Sequence, residues 1–310
     1  MSSAGLAKSV ADTVTSREGK IRGACLEIAQ VVNDWRSRAV GGLETALFLW
    51  ESVCIPSLMH GAGTWTEISA DTEYKLNQIQ FWYLRLVIQI GPGSPCASLL
   101  WDTKMLDCKY RVWEQKIRMI LFIRGQGTDT LSRNIYEQQK LNKWPGLAEE
   151  TSKICQVLNI EDVNLTKRDP HKYMNIVLEA LHKKNEECLR RLATGKCERI
   201  SGEIYQKKDY ILYKNIFSAR QHYRTRFGMS DFAGNYSNNR KYAKSNWLCL
   251  CQNSREEESH LMSGECTVYG DLVNKYSDLT CDENLADLFR DVLARRELLT
   301  KQSNNPDGGE

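Results

Sequence analysis

Apolar side chains recur every three or four positions along most of this chain, the spacing that lines one face of an amphipathic helix. Ile21, Cys25, Ile28, Val32 and Trp35 set the pattern first, and Gly41-Gly42 close that segment. A second apolar stretch, Leu43 to Leu58, runs through Pro56 into the Gly61-Ala62-Gly63 turn, where proline and glycine together stop a helix. The same periodicity predicts helices over 71–90, 107–124 and 128–142, separated by Gly91-Pro92-Gly93 and followed by Trp144-Pro145-Gly146. Ser94-Pro95 reads as the N-cap and first position of a short helix, and Asp169-Pro170 as the same signal for a long one ending near Ala193. From 203 to 227, Tyr205, Leu212, Ile216, Tyr223 and Phe227 share one side of a further predicted helix. Thr280-Cys281-Asp282-Glu283 is a capping-box sequence ahead of Leu285, Leu288, Phe289, Val292 and Leu293. No segment alternates with period two, so the expectation is an all-α fold without a substantial sheet.

These breaks suggest an order of parts. Residues 1–18 are small and polar and read as a flexible tail. A helical domain follows over 19–145, then a basic helical linker over 146–245, with the boundary placed at 145–170. A Cys/His module over 246–281, a terminal amphipathic helix over 282–300 and a frayed end over 301–310 complete the chain. The composition, 310 residues with 42% hydrophobic and 26% charged content, 20 glycines and 6 prolines, excludes disorder, collagen and a turn-rich β-sandwich. No apolar run approaches the length of a membrane span. Eleven cysteines, an odd number, without an N-terminal apolar signal segment, point to a reducing, intracellular setting, nuclear or cytoplasmic, rather than a disulfide framework.

The most specific local chemistry is Cys249-Leu-Cys251, followed by His260 and Cys266. Three thiols and one imidazole can close a tetrahedral Zn²⁺ site in a segment too polar to build its own core. The bland alternative is packing thiols beside a surface histidine, and Cys281 is an alternative ligand. The net charge of +3 conceals a second feature. Residues 207–244 carry a local balance of +7, and residues 256–310 carry −8. A basic stretch with interleaved aromatics, directly before the Cys/His cluster, suits phosphate contact through Arg220, Arg224, Arg226, Arg240, Lys241 and Lys244. Against it, these residues scatter around the helical wheel. The chain has no Asp-Asp dipeptide, phosphate loop, H-E-x-x-H or G-x-S-x-G sequence, so no catalytic residues are assigned and no enzyme is expected. His60 reads as a structural cap, His171 and His182 as members of a solvated helix, and Glu256-Glu257-Glu258 as a solvated run.

Several stretches taken together resemble a known family. They are Val40-Gly-Gly-Leu43, Leu47-Phe48, Ile55-Pro-Ser-Leu58, Gly61-Ala-Gly-Thr-Trp65, Ile79-Gln80, Leu84-Arg85 and Pro92-Gly-Ser-Pro95, then Phe217 to Met229, the Cys249/Cys251/His260/Cys266 cluster, Val268 to Leu272 and Val292 to Arg296. Over roughly residues 20–300 the chain resembles the region downstream of the polymerase core in non-LTR (LINE-type) retrotransposon reverse transcriptases. That resemblance implies a helical thumb over about 20–145, a linker, and a CCHC zinc knuckle that grips template RNA and target DNA. The family usually separates the first two cysteines by two residues, whereas here Leu250 stands alone between them. It also implies a polymerase core supplied by a longer parent protein, since the family's aromatic-x-Asp-Asp motif is missing here. The rival expectation is a helical scaffold or protein-interaction module, in which the acidic C-terminus masks the basic segment.

Overall fold

The computed structural model describes residues 3–33, 42–65, 68–91, 94–142, 144–193, 195–213, 216–230, 232, 247–276, 278–279 and 282–304. Among them run helices α1 (Ser3–Asn33), α2 (Leu43–Leu49), α3 (Ile55–Leu58), α4 (Ala70–Ile88), α5 (Cys96–Thr103), α6 (Cys108–Gly125) and α7 (Leu131–Leu141). They continue with α8 (Leu147–Leu158), α9 (Pro170–Leu192), α10 (Ile216–Arg226), α11 (Glu258–Met262), α12 (Gly270–Lys275) and α13 (Asp282–Asn304). A single antiparallel bridge, Leu248 with Arg255, is the only strand-like pairing among the described residues, so the fold is all-α as its periodicity predicts. No described helix is long and apolar enough to cross a membrane.

Local signals explain where the helices begin. Asp107 accepts the Lys109 N–H at 2.9 Å ahead of α6. Asp169 accepts the N–H groups of His171 and Lys172 at 3.0 and 3.1 Å ahead of α9, whose first residue is Pro170. The expected flexible tail over 1–18 is instead helical from Ser3 onward. Val10 and Val14 are buried and extend the stripe of Ile21, Cys25, Ile28 and Val32 toward the N-terminus. No proline interrupts that helix.

The chain divides into two compact units, each discontinuous in sequence: 1–30, 47–84 and 96–207, and 31–46, 85–95 and 208–310. The first is centred on a core from α6, α7, α8 and α9, with Ile117, Ile120, Tyr136, Ile154, Val163, Val177 and Leu181 buried together. Trp144-Pro145-Gly146 therefore lies inside this unit rather than at a domain boundary. The Arg124 guanidinium donates to the carbonyls of Val163 and Thr166, tying the loop after α8 to α6. In the same unit Trp50 stacks on Tyr83 at 4.7 Å.

The continuous helix expected over 203–227 is interrupted. Tyr205 packs on Trp101 in the first unit, with ring centroids 5.0 Å apart, and Tyr210 stacks on His222 in the second at 4.6 Å. The chain forms a 3-10 turn at Asp209–Leu212, and α10 begins at Ile216. In the second unit α10 and α13 lie against one another.

Candidate metal centre

The Cys/His segment is built by a short reverse turn. Glu256 N–H donates to the Trp247 carbonyl at 2.8 Å, and Cys249 N–H to that of Ser254 at 2.9 Å. Gln252, in the left-handed region at φ 61°, closes the tip by donating its N–H to the Cys249 carbonyl at 2.8 Å. This turn brings both thiols of the C-x-C sequence to one place while Leu250 faces outward. The short helix α11 carries His260, and the chain then reverses at Gly264. Gly270 must be glycine, because a Cβ there would stand 2.8 Å from the Gly264 carbonyl oxygen.

The result is a cluster in which one ligand atom from each of Cys249, Cys251, His260 and Cys266 lies within 4.8 Å of all the others. Cys249 Sγ is 3.6 Å from Cys266 Sγ, and Cys251 Sγ is 3.3 Å from His260 Nε2. Cys249 and Cys266 are buried, and Cys251 and His260 are half-buried. Burial pushes the Cys249 thiol up. At Cys251 burial acts in the same direction but is outweighed by the Asn253 N–H and the neighbouring thiols, so that thiol ionises below the ordinary range. The four groups could hold one metal ion. Cys281, the alternative ligand, and Thr280, the expected cap of α13, lie outside the described residues.

Two supporting residues carry no motif-level signal. Tyr269 is fully buried in the same apolar cluster as Cys249 and Cys266, and among the described residues its hydroxyl has no hydrogen-bond partner. Such a donor in the cluster that holds two candidate thiol ligands fits a site that would gain negative sulfur on binding a metal. Glu256, expected in a solvated run, is 3% exposed and pairs with Arg296 of α13 at 2.6 Å. Only its place in the turn, one residue beyond the Leu248–Arg255 bridge, explains that burial.

The basic residues fare differently. Arg220 is 2% exposed and donates from Nε to the Val87 carbonyl at 2.7 Å. Arg224 donates to the Gln89 carbonyl at 2.5 Å. These acceptors belong to the last turn of α4 and the residue after it, where carbonyls lack helical partners and the dipole favours cations. Burial first, and then Arg224, lowers the Arg220 pKa to about 10, which leaves it cationic at neutral pH. Arg226 is also buried. Arg220 and Arg224 therefore cap a helix end, and burial takes Arg220 and Arg226 away from a solvent-facing phosphate surface. Arg240, Lys241 and Lys244 lie outside the described residues. Among the histidines, His182 is half-buried rather than solvated, and burial lowers its pKa. Comparison of this chain with protein-family models, curated proteins and solved structures gives no match.

Proposed function

We propose that this chain is a non-catalytic nucleic-acid-binding portion of a retroelement-type reverse transcriptase, stapled by one Zn²⁺ on Cys249, Cys251, His260 and Cys266. In this reading a longer parent protein supplies the polymerase core. The observation that carries the proposal is the convergence of the four ligand atoms within 4.8 Å. Around a tetrahedral zinc, with bonds of about 2.3 Å to sulfur and 2.0–2.1 Å to nitrogen, neighbouring ligand atoms stand roughly 3.5–3.8 Å apart. The separations of 3.6 and 3.3 Å lie close to that range. A set of three thiols and an imidazole favours zinc over harder ions. When bound, the zinc supplies folding energy to a segment of short elements, and all four positions around it are protein ligands.

With Arg220 and Arg224 engaged at a helix end, contact with RNA or DNA shifts to the outer face of the Cys/His module. Arg255 is exposed and stacks over Trp247, 4.9 Å from the ring centroid. Leu248 and Leu250 are exposed beside them. A cation, an aromatic ring and apolar side chains on one turn suit backbone attraction combined with base stacking. The test is filter binding of single-stranded RNA by the full zinc-loaded chain. Affinity should fall steeply with salt and drop in Trp247→Ala and Arg255→Ala. Binding that is insensitive to salt, or unchanged in both variants, refutes the nucleic-acid reading.

A second reading, a helical protein-interaction module, is favoured by one observation: α13 lies along α10. It predicts partner binding that Trp247→Ala leaves intact, together with no salt-dependent affinity for RNA or DNA.

A further inference from the structure

The Cys/His cluster and the terminal helix share one core. Cys249, Cys266, Leu261 and Tyr269 from the module are buried with Leu288, Phe289 and Val292 from α13, and Phe232 meets Phe289 edge to face at 5.1 Å. Polar ties run across the same joint. Glu256, at the end of the ligand-bearing turn, pairs with Arg296. Arg295 grips both carboxylate oxygens of Asp271 at 2.5 and 2.8 Å and donates to the Val268 carbonyl at 3.1 Å. Asp291 accepts from Lys275 and from the Tyr276 hydroxyl, each at 2.7 Å. On its other side α13 packs against α10, where Arg290 reaches Ser218 at 3.5 Å.

Among the described residues, the module that receives α13 has little regular structure of its own: one bridge, a five-residue helix and a six-residue helix. Helices this short do not persist alone in water. Besides the apolar contacts and ion pairs above, the four candidate ligand side chains meet within the module. Without a metal, two thiols are left buried in the cluster that also holds Leu288, Phe289 and Val292.

We propose that metal binding at Cys249, Cys251, His260 and Cys266 is the clasp that holds α13 against the module and α10, so that loss of the metal releases the C-terminal helix. The inference rests on the zinc reading above and goes beyond it, because it assigns the metal a second duty as a control on an intramolecular contact. By thermodynamic reciprocity, any change that weakens the seating of α13 weakens metal retention by the same factor.

The experiment uses the full chain, with zinc content measured by a colorimetric chelator and backbone protection by hydrogen exchange. The expected result is one zinc per chain, with exchange of the Leu288 to Val292 amides speeding by about tenfold or more after chelation, while α9 amides hold steady. His260→Ala, whose side chain is half-buried, should mimic chelation. Arg296→Met, which alters none of the four ligand residues, should release zinc to a competing chelator more readily than the parent chain does, and Glu256→Gln/Arg296→Met should recover part of the loss. If one zinc binds and α13 exchange is the same with and without it, the clasp is wrong and the zinc site stands. If no zinc binds, both fall.

Discussion

Replacing Arg220 by alanine separates a structural arginine from a phosphate-binding one. The guanidinium is almost fully buried, bonds the Val87 carbonyl at 2.7 Å and lies over the Phe217 ring at 5.7 Å. Its removal strips a charged donor from a carbonyl at the end of α4 and opens a void the size of a long side chain. A hydrogen bond involving a charged group contributes about 1.5–3 kcal/mol, and the lost stem packing raises the expected cost to about 2–4 kcal/mol. At a urea m-value of about 2–3 kcal/mol/M, this moves the unfolding midpoint of the second unit down by roughly 1 M. Arg224→Ala removes a more exposed bond and should cost about 1 kcal/mol. Arg220→Lys retains the charge without the Nε geometry and should rescue only in part. The assay is urea unfolding followed by circular dichroism, run beside RNA binding across a salt series. The reasoning is refuted if Arg220→Ala leaves the midpoint unchanged while the salt dependence of binding loses about 0.7–0.9 log unit per log salt, the signature of one lost phosphate contact.

Other expectations follow from single sites. Cys251→Ser and His260→Ala should each abolish stoichiometric zinc at neutral pH, and retention by the parent chain should weaken as pH falls and protons compete for the ligands; zinc content after dialysis reads both. Ile117→Ala, at a fully buried position of the first core, should cost about 2–5 kcal/mol in thermal or urea unfolding. Burial raises the Asp107 carboxyl above the ordinary aspartate range, against the Lys109 N–H and the Asn77 amide. The native state then holds that proton more tightly than the unfolded chain, so stability falls as pH rises from the ordinary range through the native value. Asp107→Asn keeps a capping acceptor and should flatten that limb, whereas Asp107→Ala loses the cap and should cost about 1 kcal/mol at neutral pH; unfolding curves against pH distinguish them.

The helices were legible wherever the apolar spacing was regular and a cap or break marked an end. α4, α6 and α9 fall close to the periodicity of Leu76, Val112, Ile117 and Leu181 and the caps at Asp107 and Asp169. The pattern failed at Tyr205 and Tyr210, because a helical wheel records apolar spacing but not which ring each residue packs on. At Val10 and Val14 it failed because two buried valines among small polar residues are too sparse to announce a helix. The candidate metal cluster was visible because sulfur and imidazole at close spacing are rare, and the structure adds how a single intervening Leu250 still lets both cysteines converge. The role of Arg220 was invisible: Val87 is distant in sequence, and a cation at the end of a helix reads as basic surface until the carbonyl it caps is in view.

The charge split takes on a different meaning once its acidic half is placed. Balances of −8 and +7 invite the picture of an acidic tail held electrostatically on a basic helix. Yet Asp271, Asp291 and Glu256 pair with Arg295, Lys275 and Arg296 within the C-terminal segment itself. What seats α13 in its core is chiefly apolar, through Leu288, Phe289 and Val292, all fully buried. Apolar burial is not screened by salt, whereas exposed charge attraction fades once the Debye length shrinks from about 10 Å at 0.1 M to about 3 Å at 1 M. Raising salt across that range should therefore leave protease resistance of α13 in the zinc-loaded chain unchanged while abolishing RNA binding. A terminal helix that becomes cleavable at high salt with zinc still bound would return the contact to electrostatics and the C-terminus to the role of an acidic mask.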